Sequence, residues 1–345
     1  MGTPLFNKKS LDVSQSVIDK VIDAICSQKS VTRAIIAQKC DTSIATVSKI
    51  VRALVDSGTV AEKTLSHEES LGKRACYHLS VSRKICNAVV DLSSPVYSFD
   101  IICGGETFFR YSLKYNSDIS FEDNLYALLS RSFGQIRLKD NFCLSVCIIY
   151  SDLQRYDAAH AYLPGMHDKE LIDAVVYNTC KRSPLLYIPK SQVVRGVSKF
   201  NIVSHADGFG GVSYISLGSI NTGFSINDDK IYACRLQDLI VTEGITFREY
   251  ARSCMSRSDF ELLLERSVNF MDSAFGAQTL IIESDLFKID ASYIRAIERR
   301  FAAARLTLPD IYPIYVGDDA TSILILSAAR QAEAKLIRSY ITGKQ

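Results

Sequence analysis

From Ser43 to Gly58 the chain reads Ser-Ile-Ala-Thr-Val-Ser-Lys-Ile-Val-Arg-Ala-Leu-Val-Asp-Ser-Gly. Val47, Ile50, Val51 and Leu54 recur at the spacing of a single helix face, so the segment predicts a helix laid on an apolar core. Ser43 suits the N-cap, where its hydroxyl can accept a free amide of the first turn. Gly58 follows the last periodic residue and suits the stop. The opposite face carries Ala45, Ser48, Lys49 and Arg52. Small residues on the first turn, with cations one turn later, fit entry into a DNA major groove.

The flanking pattern extends this expectation. Val17, Ile18, Val21, Ile22 and Ile25 predict an amphipathic first helix, and Thr32 to Lys39 a short second one. Cys40-Asp41-Thr42 then turns into the third. After Gly58, Val60 to Leu65 predicts a strand, His67 to Gly72 a turn, and Ala75 to Leu79 a return strand. Lys73 and Arg74 fall near the hairpin tip. Three helices and a basic-tipped hairpin predict a winged helix-turn-helix over residues 1–82. Ala45, Thr46, Ser48 and Lys49 are expected at base edges. Arg52, Lys73 and Arg74 are expected on phosphates or in the minor groove.

Charge distribution agrees with this partner. The whole chain of 345 residues carries only +2, but residues 1–84 hold 13 Lys/Arg against 8 Asp/Glu, while the remainder is net negative by 3. The cations thus gather in the segment expected to meet phosphates. No apolar run reaches the ~18 residues of a membrane span, and the first residues lack a signal-peptide core. A cytoplasmic protein without membrane contact is expected. The ten cysteines mostly sit inside apolar runs, with no C-x-x-C pair or His/Cys zinc spacing, so reduced, buried thiols are expected.

Residues 83–345 alternate strands and helices in a repeating order. Ala88 to Leu92, Val96 to Cys103 and Glu106 to Leu113 predict a meander, its second turn marked by Gly104-Gly105. A helix near Phe121–Arg137, a strand at Leu144–Tyr150, a helix at Lys169–Cys180 and a strand at Leu185–Ile188 follow. A second meander then starts, with Gly211 to Leu217, Gly223 to Ile226 and Ile231 to Arg235. Helices near Thr246–Cys254 and Asp259–Phe275 follow it. Next come a strand at Thr279–Glu283, a helix at Ala291–Ala304, a strand within Asp310–Val316 and a final helix from Asp319 to Tyr340. Two such lobes, with helices on both faces of each mixed sheet, predict an α/β class and a hinged body.

Several motifs carry a family likeness. Leu71-Gly72-Lys73-Arg74 with Tyr77-His78-Leu79 resembles the wing motif of ROK-family proteins (repressors, open reading frames and sugar kinases). Ala88-Val89-Val90-Asp91-Leu92 resembles that family's first phosphate-loop strand. Ser216-Leu217-Gly218-Ser219 to Tyr232 resembles the second, and Gly317-Asp318-Asp319-Ala320 the start of the last helix. The resemblance implies a winged helix-turn-helix followed by a two-lobed, actin-like (ribonuclease H-like) sugar-kinase fold. It divides the body into a first lobe of about 83–205 plus the C-terminal helix 319–341, and a second lobe of about 206–318. It also implies a homodimer or homotetramer.

The departures from the family pattern bear on chemistry. Ser93-Ser94-Pro95 replaces the glycines whose amides approach phosphate oxygens, and proline removes one donor outright. Ile220, Thr222 and Phe224 stand where an ungapped match puts glycines in the second loop. Glu283 and Asp285 would add negative charge at the adenosine loop. Ser191 takes the place of the carboxylate base and cannot do its work. The family's zinc motif has no counterpart between Arg235 and Ser256. Loop histidines His160 and His167 read as exposed. The expected function is therefore a transcriptional regulator, a repressor, on a double-stranded DNA operator. Its body would be catalytically inactive, without cofactor or metal, and open to a small-molecule effector such as a sugar. A divergent sugar kinase with altered nucleotide loops is the alternative, and a DNA-binding scaffold without effector a third reading.

Overall fold

The computed structural model describes residues 13–28, 30–64, 77–83, 85–136, 143–152, 164–180, 185–200, 202, 211–217, 222–227, 230–234, 236, 240–242, 245–246, 256–303, 309–315 and 322–342. The N-terminal unit comprises α1 (Gln15–Cys26), α2 (Arg33–Lys39), α3 (Ile44–Asp56), β1 (Val60–Thr64) and β2 (Tyr77–Val81). β1 and β2 pair antiparallel, with Val60 opposite Val81, and Val31 bridges to Leu79 from the entry to α2. The apolar stripes predicted for α1 and α3 close on each other: Val21, Ile22, Val47, Ile50, Val51 and Leu54 are all fully buried. An Arg33–Glu62 ion pair ties α2 to β1.

The body begins with β3 (Ile85–Asp91), β4 (Val96–Cys103) and β5 (Glu106–Lys114). It continues through α4 (Phe121–Gln135), β6 (Cys143–Tyr150), a single 3-10 turn (Met166–Asp168), α5 (Lys169–Cys180), β7 (Leu185–Pro189) and α6 (Lys190–Lys199). A second set follows: β8 (Val212–Leu217), β9 (Thr222–Asn227), β10 (Lys230–Cys234), the small pair β11 (Ile240–Thr242) and β12 (Ile245–Thr246), α7 (Arg257–Phe275), β13 (Thr279–Ser284), α8 (Ala291–Ala303), β14 (Asp310–Tyr315) and α9 (Ile323–Thr342). Each set builds one five-stranded sheet, ordered β5-β4-β3-β6-β7 and β10-β9-β8-β13-β14. In both, a three-stranded antiparallel meander is extended by two parallel strands. The repeat predicted from the strand pattern is therefore one of topology, strand for strand.

Five layers result. One face of the first sheet packs under α4 and α5, where Ala88, Val90, Phe99 and Ile148 meet Leu125, Leu128 and Val176. The outer face of the second sheet packs under α7 and α8 through Ile215, Leu264, Leu280 and Ile297. Between the sheets lie α6 and α9, whose Val193, Val197, Ile325 and Ala328 meet Val89 and Ile149 of one sheet and Val212 and Ile281 of the other. α6 and α9 also reach the N-terminal unit. Phe200, Ala334 and Ile337 are buried in its core. Arg338 of α9 pairs with Asp19 at 3.0 Å and also with Asp23, and Lys199 at the end of α6 pairs with Asp23 at 3.0 Å. Among the described residues no helix is long and apolar enough to cross a membrane.

Three expectations need correction. Lys190–Lys199 is helical although the sequence pattern predicts no helix there. Its Val193, Val194 and Val197 face inward, and Gly196 lets α6 approach α9 so closely that an added Cβ would lie 2.3 Å from Ser327 Oγ. Thr246, predicted to open a helix, pairs with Ile240 in β11–β12, and 247–255 lie outside the described residues. Finally, Cys86 and Cys103 are not both reduced. They stand opposite each other across β3–β4 with Cα atoms 4.3 Å apart and are joined as a disulfide, while Cys26, Cys40 and Cys147 are buried free thiols.

Candidate nucleic-acid interface and interlobe cleft

On α3 the cap forms as the sequence predicts. Ser43 Oγ accepts the Thr46 amide at 3.1 Å and lies 2.9 Å from Thr46 Oγ1. Thr32 caps α2 in the same way, accepting the Ile35 amide at 3.3 Å. The turn between the helices passes through Asp41 in the left-handed region, φ 49°, which Asp tolerates better than most side chains. Ala45, Lys49 and Arg52 are exposed, and Thr46 and Ser48 are half-buried, all away from the buried stripe. Thr46 spends its hydroxyl partly on the cap. Two apolar side chains stand exposed: Ile44, 55% exposed on the first turn of α3, and Ile35, 41% exposed on α2. Neither serves a core, and an exposed aliphatic side chain at the start of such a helix can meet a thymine methyl. Lys73 and Arg74 lie outside the described residues, as do Leu71 and Gly72.

The second candidate site lies between the lobes. Asp91 ends β3. Its Oδ1 accepts both the amide of Ser93, at 2.9 Å, and the Ser93 hydroxyl. An amide that would face a phosphate in a glycine-rich loop is here turned onto the chain's own carboxylate. On the other side of Asp91 stands Lys190, whose Nζ is 3.4 Å from Asp91 Oδ2 and 2.9 Å from Glu283 Oε2. Tyr214 donates its phenol to the same Glu283 oxygen at 2.7 Å, and its ring lies 5.6 Å below the ammonium. Lys190, Glu283 and Asp91 are 2%, 4% and 8% exposed. Burial works against the charge on Lys190, but the two carboxylates outweigh it and hold the ammonium above the ordinary lysine range. Burial, and then Glu283, push Tyr214 well up, so it stays a donor.

A cavity of about 190 Å³ opens beside this cluster, lined on one side by Asp91, Ser94, Ser98, Arg110, Lys190 and Glu283, and elsewhere by Tyr312, Ser322 and apolar side chains such as Val96, Ile314 and Leu324. Its wall holds a second ion pair, Arg110 to Asp100 at 3.0 Å. Burial pushes Asp100 up to about 6, with Arg110 and the Ser98 hydroxyl pulling the other way.

These positions revise the expected site. Glu283 is not a loop charge facing a nucleotide; it lies within β13, neutralised by Lys190. Phe224 and Thr222 are not loop residues either: both belong to β9, and Phe224 stacks on Tyr214 with centroids 5.1 Å apart. The ungapped match fails there because β9 already begins at Thr222; residues 218–221 lie outside the described residues. Ser191 does fall on the first turn of α6. Its hydroxyl and its amide, the latter at 3.2 Å, donate to the Asp152 carboxylate just beyond β6. Lys190, Asp152 and Tyr214 were missed from sequence. A strand-end Asp repeated after β3 and β6 was the available signal for Asp152. His167 sits on the 3-10 turn beside Asp168, 2.9 Å away and half exposed, and does not line the cavity. His160, Gly218, Ile220 and Gly317-Asp318-Asp319-Ala320 lie outside the described residues.

No family model matches the sequence, and no curated protein is similar to it at the sequence level. Solved structures are similar in fold. A ROK family transcriptional regulator, a homolog of the E. coli MLC protein, superposes over 95% of this chain and 99% of its own at TM-score 0.55, with 13% identity. A Listeria monocytogenes protein described as a putative N-acetylmannosamine kinase covers 73% of this chain and 99% of its own, at TM-score 0.49 and 8% identity. A Streptomyces griseus ROK glucokinase covers 71% and 98%, at TM-score 0.47 and 12% identity. At 13% identity the likeness is one of fold: the two sheets and N-terminal helices of this chain have the fold of the ROK transcriptional regulator.

Proposed function

We propose that the chain is a DNA-binding transcriptional regulator, a repressor, whose kinase-like body does not catalyse phosphoryl transfer. The observation that carries this reading is the filled cleft. Lys190 occupies the space between Asp91 and Glu283, so both carboxylates already hold a cation where catalysis would need them for a metal ion or as a base. The Ser93 amide is committed to Asp91 as well. The exposed face of α3 supports the positive half. It offers Ala45, Ser48, Lys49 and Arg52, with Ile44 ahead of them, on a helix whose other face is a finished core. Thr46 takes part through its methyl group, and Lys73 and Arg74, outside the described residues, are assigned phosphate contacts by this reading. Likeness to a regulator over nearly the whole chain fits this reading.

The body's tasks are then pairing of copies and reception of a small neutral effector, a sugar being the chemistry that the serine-rich cavity suits. A two-fold dimer would place two recognition helices on successive half-sites. One observation favours a second reading, a divergent sugar kinase: Asp152 brings a carboxylate against Ser191. Titration calorimetry with magnesium-ATP, alone and with hexoses, separates the two. The regulator reading expects no heat, whereas micromolar ATP affinity or turnover abolished by Asp152→Asn establishes the kinase. Mobility shifts on operator-selected DNA test the positive half.

A further inference from the structure

We propose that Lys190 is a built-in latch: its ammonium, held between Asp91 of the first lobe and Glu283 of the second, closes the two lobes through the protein's own charges. Asp91 and Lys190 both belong to the first lobe's strand ends, on β3 and at the start of α6. Glu283 lies on β13 of the second lobe and makes the shorter contact, 2.9 Å against 3.4 Å. Tyr214, also from the second lobe, fixes the same Glu283 oxygen at 2.7 Å. The cross-lobe half is therefore the better formed half. All three charges are nearly excluded from solvent, so separating the lobes exchanges a buried pair for hydrated ions. Such an exchange lies near balance, because burial of ions costs roughly what their attraction returns. A contact near balance can open and close more readily than the apolar packing beside it, where Val193 and Val197 meet Val212 and Ile281.

The latch has a mechanical outlet. α6 carries Lys190 as its first residue and Lys199 as its last; Lys199 pairs with Asp23 of α1, and Phe200 is buried in the core of the N-terminal unit. Motion of α6 against the second lobe therefore shifts the footing of α1. Use of this motion to tune operator affinity rests on the DNA-binding reading above; the latch itself does not.

Hydrogen exchange and solution scattering on the full chain test the latch without DNA. Lys190→Met leaves two facing carboxylates buried without a cation. Exchange at the ends of β8 and β13 should rise at least about tenfold, while amides of α4 and α7 keep their protection. Glu283→Gln cuts only the cross-lobe pair and should raise exchange at the same sites, with an enlarged radius of gyration. Asp91→Asn leaves the cross-lobe pair intact and should stay closed. If Lys190→Met loses protection throughout, the contrast between the two conservative variants still decides. Equal exchange and equal radius in Glu283→Gln, Asp91→Asn and the parent chain would overturn the latch. A confirmed latch in a chain that binds no DNA would instead dismiss the regulatory reading alone.

Discussion

Lys49 and Arg52 stand in solvent on α3, whereas Lys190 is buried between two carboxylates on the cleft floor. The same chain thus keeps cations unspent on one surface and spends one completely on another. In a phosphoryl-transfer enzyme the economy runs the other way, since charge is reserved in the cleft for substrate and metal. Here the reserved charge lies on a helix of the N-terminal unit. That contrast supports the proposed binder over a catalyst.

The comparison can be sharpened first on α3 itself, whose two faces should respond oppositely. Leu54→Ala opens a cavity in a core shared with Phe200 and Ile337 and should cost ~2–5 kcal/mol in chemical denaturation. Ile44→Ala, one helix turn from the core stripe and 55% exposed, should leave stability within about 0.5 kcal/mol. Equal losses would show that the face assigned to DNA is structural.

The next largest effect belongs to a buried acid away from both sites. Glu333 on α9 lies under burial that pushes it up to about 7, against a usual 4.5, with Arg330 at 3.2 Å opposing the shift. The folded-state value is raised, so the folded chain holds the proton that the unfolded chain gives up. Stability should therefore fall as pH rises from about 4.5 to about 7, and the full penalty, about 3 kcal/mol, should persist above pH 7. Glu333→Gln should flatten that slope in thermal melts at stepped pH. An unchanged slope would mean that the pair with Arg330 keeps the carboxylate ionised.

For DNA, the Lys49→Ala/Arg52→Ala variant should lose ~1–3 kcal/mol of operator affinity for each base contact removed while melting like the parent. Lys73→Ala/Arg74→Ala should lower affinity on every sequence and reduce the log–log salt slope by about one per lost phosphate contact. The smallest effect is expected at the cap, where Ser43→Ala should cost about 1 kcal/mol by freeing the Thr46 amide.

Much of the architecture was legible because it rests on local periodicity. The α3 stripe, the Gly104-Gly105 turn and the two meanders all follow from side-chain spacing, and each appears where the pattern puts it. α6 was not legible. Its three valines and internal Gly196 argue against a helix locally, and only close packing on Ser327 and Gln331 makes the glycine useful. The cleft was half legible. Loss of loop glycines is visible in Ser93-Ser94-Pro95, but the lysine that fills the space is not. Asp91, Lys190 and Glu283 are separated by about a hundred residues each, and only the folding of two lobes upon α6 brings them together. The Cys86–Cys103 bond was missed for the same reason, since it depends on the register of β3 against β4.

Selection of bound fragments from random double-stranded DNA by the purified full-length chain tests the central claim most directly. The account predicts enrichment of a two-fold symmetric site, with half-sites about one helical turn apart, and loss of that enrichment in Lys49→Ala/Arg52→Ala. Enrichment of no sequence by a folded parent chain, or the same site recovered by the double variant, would contradict it.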